Sequence, residues 1–146
     1  MTRSRGLALA LALAASSFVH AQAPQYRARL SVVPIDVSMQ STIAGSGAVT
    51  ATLKGSTLTI NGTFTGLKTA ATVARVHRSP RTAMRGVPIG DLTVTANTTG
   101  TISGSLELTK DQLDDLAAGR LYVQVHSEKA PDGNLWGWLL APEVKK

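Results

Sequence analysis

The stretch GRLYVQVHSEKAPDGNLWGWLL, residues Gly119 to Leu140, contains the pattern that decides the fold of this chain. Apolar and polar side chains alternate from Leu121 to His126, so His126 lies on the polar face of a predicted strand. The segment APDGN, Ala130 to Asn134, combines proline and glycine and predicts a turn. A second strand is predicted from Leu135 to Leu140. Together they predict a hairpin with His126 at a strand end, where sheet proteins often bind ligands.

Short runs of alternating apolar residues recur outside this hairpin, separated by glycine, serine, threonine and asparagine. This spacing, together with abundant threonine and valine, is typical of an antiparallel β-sandwich or β-barrel. The predicted fold class is therefore all-β, with one short connecting helix. The predicted strands are Tyr26–Val33, Ala48–Leu53, Thr57–Phe64, Thr72–His77, Pro88–Thr95, Thr101–Leu108, Leu121–His126 and Leu135–Leu140.

Three shorter stretches carry local predictions. Lys54–Ser56 has a glycine between two predicted strands and predicts a hairpin turn. Asn61–Gly62 interrupts an alternating run, and we expect a β-bulge there rather than a turn. Val37–Ile43 is either a further edge strand or a loop.

One helix is well marked by its ends. Thr109 to Gln112 has the form of a capping box, in which threonine and glutamine satisfy free N–H groups of the first turn. Gly119 is placed to end the helix. Asp114 and Asp115 would lie on it, and we expect both to be exposed and to add solubility.

The first 21 residues have the three parts of a secretory signal. Arg3 and Arg5 precede an apolar run from Leu7 to Ala15, and Val19–Ala21 forms a small-x-small cleavage site. The run is too short to favour a retained membrane span, although an uncleaved anchor is the alternative. We therefore expect a periplasmic or secreted protein that begins near Gln22, from a signal of bacterial type.

The composition of the remaining chain limits what it can be. Of 146 residues, 125 follow the signal, which suits one domain, residues 22–146. The chain has no cysteine, which excludes disulfides, thiolate catalysis and cysteine metal sites. Without Arg3 and Arg5, thirteen basic residues face nine acidic ones, a net charge of +4. Four of the basic residues, Arg75, Arg78, Arg81 and Arg85, lie within eleven residues without interleaved aromatic residues, so nucleic acid is not a predicted partner.

The terminal motif resembles that of the chordin-type (CHRD) domain family. That motif has a glycine, Tyr-Val-x-Val-His-Ser/Thr, a short linker, Pro-x-Gly and a strand ending in glycine. This chain has Gly119, Tyr122–Ser127, Pro131–Gly133 and Leu135–Gly137 in that order. The upstream segments Gly47–Leu53, Leu58–Leu67 and Ala74–His77 also follow the order of family strands.

The resemblance implies an antiparallel β-sandwich of immunoglobulin-like or Cu/Zn superoxide-dismutase-like form. It also implies an extracytoplasmic binding or interaction module, and no reaction. The chain departs from the family pattern at Arg75–Arg78, where the family usually has His-x-His-Gly, and at Asn134 and Trp136. These departures weaken a metal role inferred from paired histidines.

Two histidines, His77 and His126, end predicted strands and could converge on one rim. Neutral imidazoles there could share a copper or zinc ion, with Gln124, Glu128 or Asp132 as a weak further ligand. Two histidines are fewer than the three or four protein ligands of zinc sites. The metal site is thus the alternative, and no cofactor is the first prediction.

An anion is the other small ligand that this region could bind. Arg75 shares a strand face with His77 and would attract a carboxylate or phosphate. Arg78, Arg81 and Arg85 follow within eleven residues of Arg75 and could assist. The alternative is a solvated basic loop without a ligand.

Trp136 and Trp138 share one face of the last strand, and their position decides their role. On the inner face they would be large core residues, which is what we expect, because the opposite face is also apolar. On the outer face they would form a patch for a protein or carbohydrate partner.

The sequence favours a non-catalytic module that binds a protein or a small anion outside the cytoplasm. No serine lies in a Gly-x-Ser-x-Gly elbow and no carboxylate pair suits acid–base work. The candidate ligand-binding residues are Arg75, His77, Arg78, Gln124, His126 and Trp136. The alternatives are a metal-handling or redox-accessory protein that uses His77 and His126, and a structural component without a site. The sequence does not fix the oligomeric state.

Overall fold

The computed structural model of the protein describes residues 21–143 and contains antiparallel strands, an α-helix and a short 3-10 helix. Of the predicted signal segment, all but Ala21 lies outside the described residues. The strands are β1 (Gln25–Val32), β2 (Ser46–Lys54), β3 (Thr57–Thr65), β4 (Ala71–Arg78), β5 (Val87–Val94), β6 (Gly100–Glu107), β7 (Leu121–Ser127) and β8 (Ala130–Trp138). The helix α1 is Lys110–Ala117, and the 3-10 helix is Val37–Met39.

The strands close into a barrel in the order β1-β2-β3-β6-β5-β4-β7-β8. Closure depends on two strands that change partner along their length. Strand β1 pairs with β2 through Gln25–Leu30 and with β8 through Ser31 and Val32. Strand β5 likewise pairs first with β4 and then, at Thr93 and Val94, with β6. The all-β prediction is confirmed. The sandwich is corrected to a closed barrel, because these two strands join the two halves by hydrogen bonds.

The interior of the barrel is filled by the apolar face of each strand. Leu30, Leu58, Ile60, Val123 and Leu135 are fully buried there. Each strand contributes alternate residues because successive side chains of a strand point to opposite faces. On β7 the inward residues are the apolar set that the sequence pattern predicted, so the polar set of the same strand must face outward.

The predicted helix is confirmed together with its capping box. The Thr109 hydroxyl accepts from the Gln112 N–H, and the Gln112 side chain accepts from the Thr109 N–H at 3.0 Å. Gly119 ends the helical segment with a positive φ of 70°, which glycine adopts without strain. Within residues 21–143, no helix has the length and apolar character needed to cross a membrane.

Three local predictions have different outcomes. The Lys54–Ser56 turn is confirmed, with Lys54 and Thr57 paired across it. The bulge at Asn61–Gly62 is wrong, because β3 keeps an unbroken register with both neighbours. Val37–Ile43 begins with the 3-10 helix and forms no strand.

The predicted turn at Ala130–Asn134 is also wrong in position. The chain reverses at Glu128 and Lys129, and β8 has already begun at Ala130. Strand pairs Ser127–Ala130 and Val125–Leu135 leave one residue of β7, His126, opposite residues 131–134 of β8. The proline and glycine of this segment therefore belong to a large bulge in β8, in which four residues oppose one, and not to a turn.

Gly62 marks a point where β2 and β3 approach closely. A Cβ added at Gly62 would lie 2.4 Å from the carbonyl oxygen of Ala48, which is backbone and cannot rotate away. We expect Gly62→Ala to lower the free energy of unfolding by about 1–3 kcal/mol, the usual cost of overpacking. Urea unfolding measures this. The control Asn61→Ala, at an exposed neighbour, should stay within about 0.5 kcal/mol of the original protein; equal effects of both substitutions would contradict the close approach.

Candidate functional site on the outer face of β4, β7 and β8

Five of the six predicted ligand-binding residues lie on the outer face of three neighbouring strands. Register places His77 opposite Tyr122, Arg75 opposite Gln124, and Gln124 opposite Trp136. His126 follows on the same face of β7, two residues beyond Gln124. The structure therefore brings these residues together, whereas Arg78 lies elsewhere. The outer-face cluster is His77, Tyr122, Gln124, His126, Trp136 and Trp138.

The two histidines are close to each other and are buried. Their ring centroids are 6.3 Å apart, with 33° between the ring planes. Tyr122 stacks on His77, with centroids 4.8 Å apart and ring planes inclined by 11°. The two histidines therefore converge as predicted. They are buried, however, and do not lie on an exposed rim.

His126 is oriented by the bulge of β8. Its Nδ1 lies 2.8 Å from the carbonyl oxygen of Pro131. Because a carbonyl only accepts, Nδ1 carries the proton, and Nε2 of the neutral ring carries a lone pair. Nε2 is buried and has no hydrogen-bond partner among the described residues. The bulge therefore fixes one tautomer and leaves an unused acceptor inside the cluster.

Gly133 allows this bulge to approach β7. Its φ of 118° is one that other residues rarely adopt, and an added Cβ would lie 1.8 Å from Nε2 of Gln124. Gln124 in turn donates from Nε2 to the carbonyl of Asp132 at 3.2 Å. The Pro-x-Gly part of the motif thus has a structural reason in this chain.

His77 is held in its neutral form. Burial lowers its pKa to about 4, and the nearby His126 and the positive charges of Arg75 and Arg85 act in the same direction. Its Nδ1 is buried without a hydrogen-bond partner within the described part of the chain. The cluster therefore contains two imidazoles, each with a ring nitrogen that makes no hydrogen bond.

Trp136 and Trp138 lie on this outer face, so the expectation that they fill the barrel core is wrong. Both are half-buried, whereas Leu135 of β8 and Leu139, the residue after β8, are the ones buried in the core. The indole of Trp136 meets Tyr122 edge-on at 5.9 Å, and that of Trp138 lies 4.9 Å from the same ring. The tryptophans therefore extend the cluster towards solvent.

Two segments cover the cluster: the bulge of β8 and the segment that leads into β5 and contains Arg85. Arg85 connects them. Its guanidinium lies 5.7 Å from the centroid of the Trp136 ring, and its Nη1 donates to the Asp132 carbonyl at 2.8 Å. The next residue, Gly86, donates its N–H to the Tyr122 hydroxyl at 3.0 Å. A cavity of about 110 Å³ lies beside this cover, between Arg85, Ile43 and the bulge.

The other predicted arginines have partners that the sequence did not indicate. Arg75 forms an ion pair with Asp91 of β5 at 2.8 Å. Its charge is therefore already paired, contrary to the expectation that it would attract an anionic ligand. Arg78 pairs with Asp115 of α1, and Arg120 pairs with the same carboxylate. Asp115 is 3% exposed, which corrects the expectation that it is a solubilising surface residue.

The sequence analysis did not identify two features of this region, Tyr122 and the pairing of Asp115. Only the first could have been predicted from the sequence. Tyr122 belongs to the same alternating set as Gln124 and His126, so strand periodicity could have identified it. The pairing of Asp115 with Arg78 and Arg120 has no such signal, because it depends on where α1 docks against the barrel.

A metal site of three or more ligands is not formed by the described residues. No group of three histidine, cysteine or carboxylate side chains within residues 21–143 has a suitable arrangement. The two histidines alone would supply half the protein ligands of a structural zinc site.

The order of glycine-led strands, the histidine at the end of β4 and the Tyr-Val-x-Val-His-Ser motif on β7 now have definite places in the barrel. The family model for the CHRD domain matches residues 26–139. The chain belongs to the CHRD domain family. This match covers every strand of the barrel except the first residue of β1, and it includes the whole outer-face cluster. No curated protein gives a match to this CHRD chain.

The low pKa of His77 predicts a pH dependence of stability. Between about pH 6.5 and 4 the unfolded chain binds a proton at His77 that the folded protein does not, so stability falls as pH falls. We expect the free energy of unfolding to lose on the order of 2 kcal/mol across this window through His77 alone. Urea unfolding at several pH values, compared with His77→Gln, measures the difference. A variant that loses as much stability as the original protein would contradict this assignment.

Proposed function

We propose that this CHRD domain is a non-catalytic binding module that acts outside the cytoplasm, with the outer-face cluster as its ligand surface. The observation that carries the proposal is the composition of that cluster. Half-exposed tryptophans lie directly beside buried polar atoms that make no hydrogen bond within the described residues: His77 Nδ1, His126 Nε2 and Trp138 Nε1. Buried polar groups are nearly always hydrogen-bonded, so such atoms call for an explanation.

A ligand would gain from both parts of the cluster. Tryptophan supplies large contact area and is enriched among the residues that dominate binding energy. An unpartnered buried acceptor costs free energy in the unbound state, so a ligand that donates to His126 Nε2 would remove that cost. The expected partners remain a protein or a small anionic molecule, and no nucleic acid.

The surroundings of the histidines support binding over a reaction. His77 stacks on Tyr122, and His126 donates to a backbone carbonyl. In residues 21–143, neither imidazole hydrogen-bonds to a hydroxyl or carboxylate side chain, which is the pairing that activates a nucleophile. This arrangement supports the proposal, first made from the sequence, that the domain is not an enzyme.

The extracytoplasmic location rests on the sequence. Residues 1–21 have the parts of a secretory signal, with cleavage expected between Ala21 and Gln22. We propose a periplasmic or secreted mature domain of residues 22–146, from a bacterial source.

Site-specific photo-crosslinking tests the ligand surface in the exported protein. A benzoylphenylalanine at Trp138 or Val73, both on the outer face of β4, β7 and β8, should give adducts when irradiated in the producing cells. The same residue at Thr59 or Thr63, exposed on the outer face of β3, is the matched control. Mass spectrometry identifies the adducts and the mature N-terminus. Adducts at the first pair alone are expected; equal labelling, or none, would overturn the proposed surface.

Metal handling is the second candidate function, because each histidine has a ring nitrogen without a hydrogen-bond partner among the described residues and the two ring centroids lie 6.3 Å apart. His77 and His126 would hold a copper or zinc ion, for which imidazole is a suitable ligand. The residues fit this ion only in part, because two imidazoles leave further positions to be filled from elsewhere. The positive charges of Arg75 and Arg85 near His77 also oppose a cation.

Elemental mass spectrometry of the mature chain, purified without a histidine tag, tests this second function. Metal handling predicts close to one copper or zinc ion per chain after incubation with the ion and dialysis. It also predicts loss of that ion in the His77→Ala, His126→Ala double variant, with circular dichroism as the control for folding. Gln124→Ala, in the same cluster, should keep most of the metal. A chain that retains no metal would contradict metal handling and leave the binding module.

A further inference from the structure

A second concave region lies apart from the outer-face cluster, where β4 ends next to helix α1. It is an open cleft of about 660 Å³. We call it the arginine cleft, since its lining includes Arg78, Arg85, Arg120, Asp115, Pro80 and Val87. Arg85 and its neighbour Gly86 line the cleft and also belong to the segment that covers the outer-face cluster.

Asp115 organises two of these arginines. Its carboxylate is 4% exposed at the side chain, and it pairs with Nε of Arg78 through one oxygen and with Nη2 of Arg120 through the other. The main-chain N–H of Arg120 also donates to the Asp115 carbonyl at 2.8 Å. A buried carboxylate bound in this way holds both guanidinium groups in fixed positions beside the cleft.

The arginines keep binding capacity beyond Asp115. Each guanidinium has five N–H donors, and the side chains of Arg78 and Arg120 remain 41% and 38% exposed. Nε of Arg120 is buried and has no hydrogen-bond partner in the described part of the chain. The lining also has three guanidinium groups against one carboxylate, so its net charge is +2. Both features favour an anion.

Part of the remaining wall is apolar. Pro80 and Val87 line the cleft beside the arginines, and Val87 is 63% exposed. An inorganic ion would leave this apolar surface in water. An anion with an apolar body would bury it, which adds roughly 25 cal/mol for each Å² removed from water.

We propose that the arginine cleft binds the carboxylate or phosphate end of a molecule with an apolar body. The guanidinium forks of Arg120 and Arg78 hold the oxyanion, Arg85 adds charge, and Pro80 and Val87 contact the apolar part. This inference rests on the proposed binding function, which expects a small anionic partner. It adds a separate site and a ligand class.

The test uses four small probes. They distinguish carboxylate from phosphate, and binding to the arginines from contact with the apolar wall. Octanoate carries the carboxylate, octyl phosphate carries the phosphate, octanol has the apolar body without charge, and inorganic phosphate has charge without the body. Titrations of the mature chain, followed by the Nε–H resonances of its arginines, should shift Arg78 and Arg120 with octanoate or octyl phosphate. Whichever shifts them at lower concentration identifies the group that the site prefers. Octanol and inorganic phosphate should bind at least about tenfold more weakly.

Matched substitutions assign the binding to the cleft. Arg85→Gln should weaken octanoate or octyl phosphate binding by about tenfold, whereas Arg81→Gln, with the same charge change in the same segment but outside the cleft lining, should change it by less than about twofold. Arg120→Lys keeps the charge opposite Asp115 and removes the fork, so it should weaken binding without unfolding the chain. Equal effects of Arg85→Gln and Arg81→Gln, or equal binding of octanol, would overturn the proposal.

The outcome is separable from that of the outer-face surface. Loss of crosslinked adducts at Trp138 and Val73 would contradict the outer-face proposal and leave the cleft titration unaffected. Unchanged binding in Arg120→Lys would contradict the cleft and leave the crosslinking result as it stands.

Discussion

Strand β7 is buried on both of its faces, so it needs one packed layer inside the barrel and a second one outside it. Every residue from Leu121 to Ser127 is buried. The inward set packs in the barrel, so the outward set, Tyr122, Gln124 and His126, needs cover and polar partners of its own. The bulge of β8, the segment that ends at Gly86, and the two tryptophans supply that cover. The proposed ligand surface exists because this second, polar layer is packed but not fully hydrogen-bonded.

Local signals in the sequence predicted the local structure well. Alternation located the strands within about two residues of their observed ends, except that β8 begins at Ala130 and not at Leu135, and the Thr109 capping box located the helix. Features that depend on distant partners were wrong or missed: barrel closure through β1 and β5, the reversal at Glu128 instead of Ala130–Asn134, and the outward direction of Trp136. A strand apolar on both faces, such as β8, does not show by itself which face enters the core. The burial of Asp115 likewise depends on where α1 docks.

Arg85 joins the two regions that we propose bind ligands. It lies over Trp136, holds the Asp132 carbonyl of the bulge, and lines the arginine cleft. An anion in the cleft would attract the same guanidinium that covers the outer-face cluster. If a ligand in the cleft moved Arg85, the cover of the outer-face cluster would change as well. Movement of Arg85 is thus a physical route for coupling between the two regions.

The proposed role of the outer-face cluster depends on ring nitrogens of His77 and His126 that make no hydrogen bond within the described residues. Long-range ¹H–¹⁵N correlation spectra of the mature chain at pH 7 report the protonation and tautomer of each imidazole. We predict that His77 is neutral and that Nδ1 of His126 carries a proton, because it lies 2.8 Å from the Pro131 carbonyl oxygen. A charged His77, or a His126 without a proton on Nδ1, would contradict this prediction.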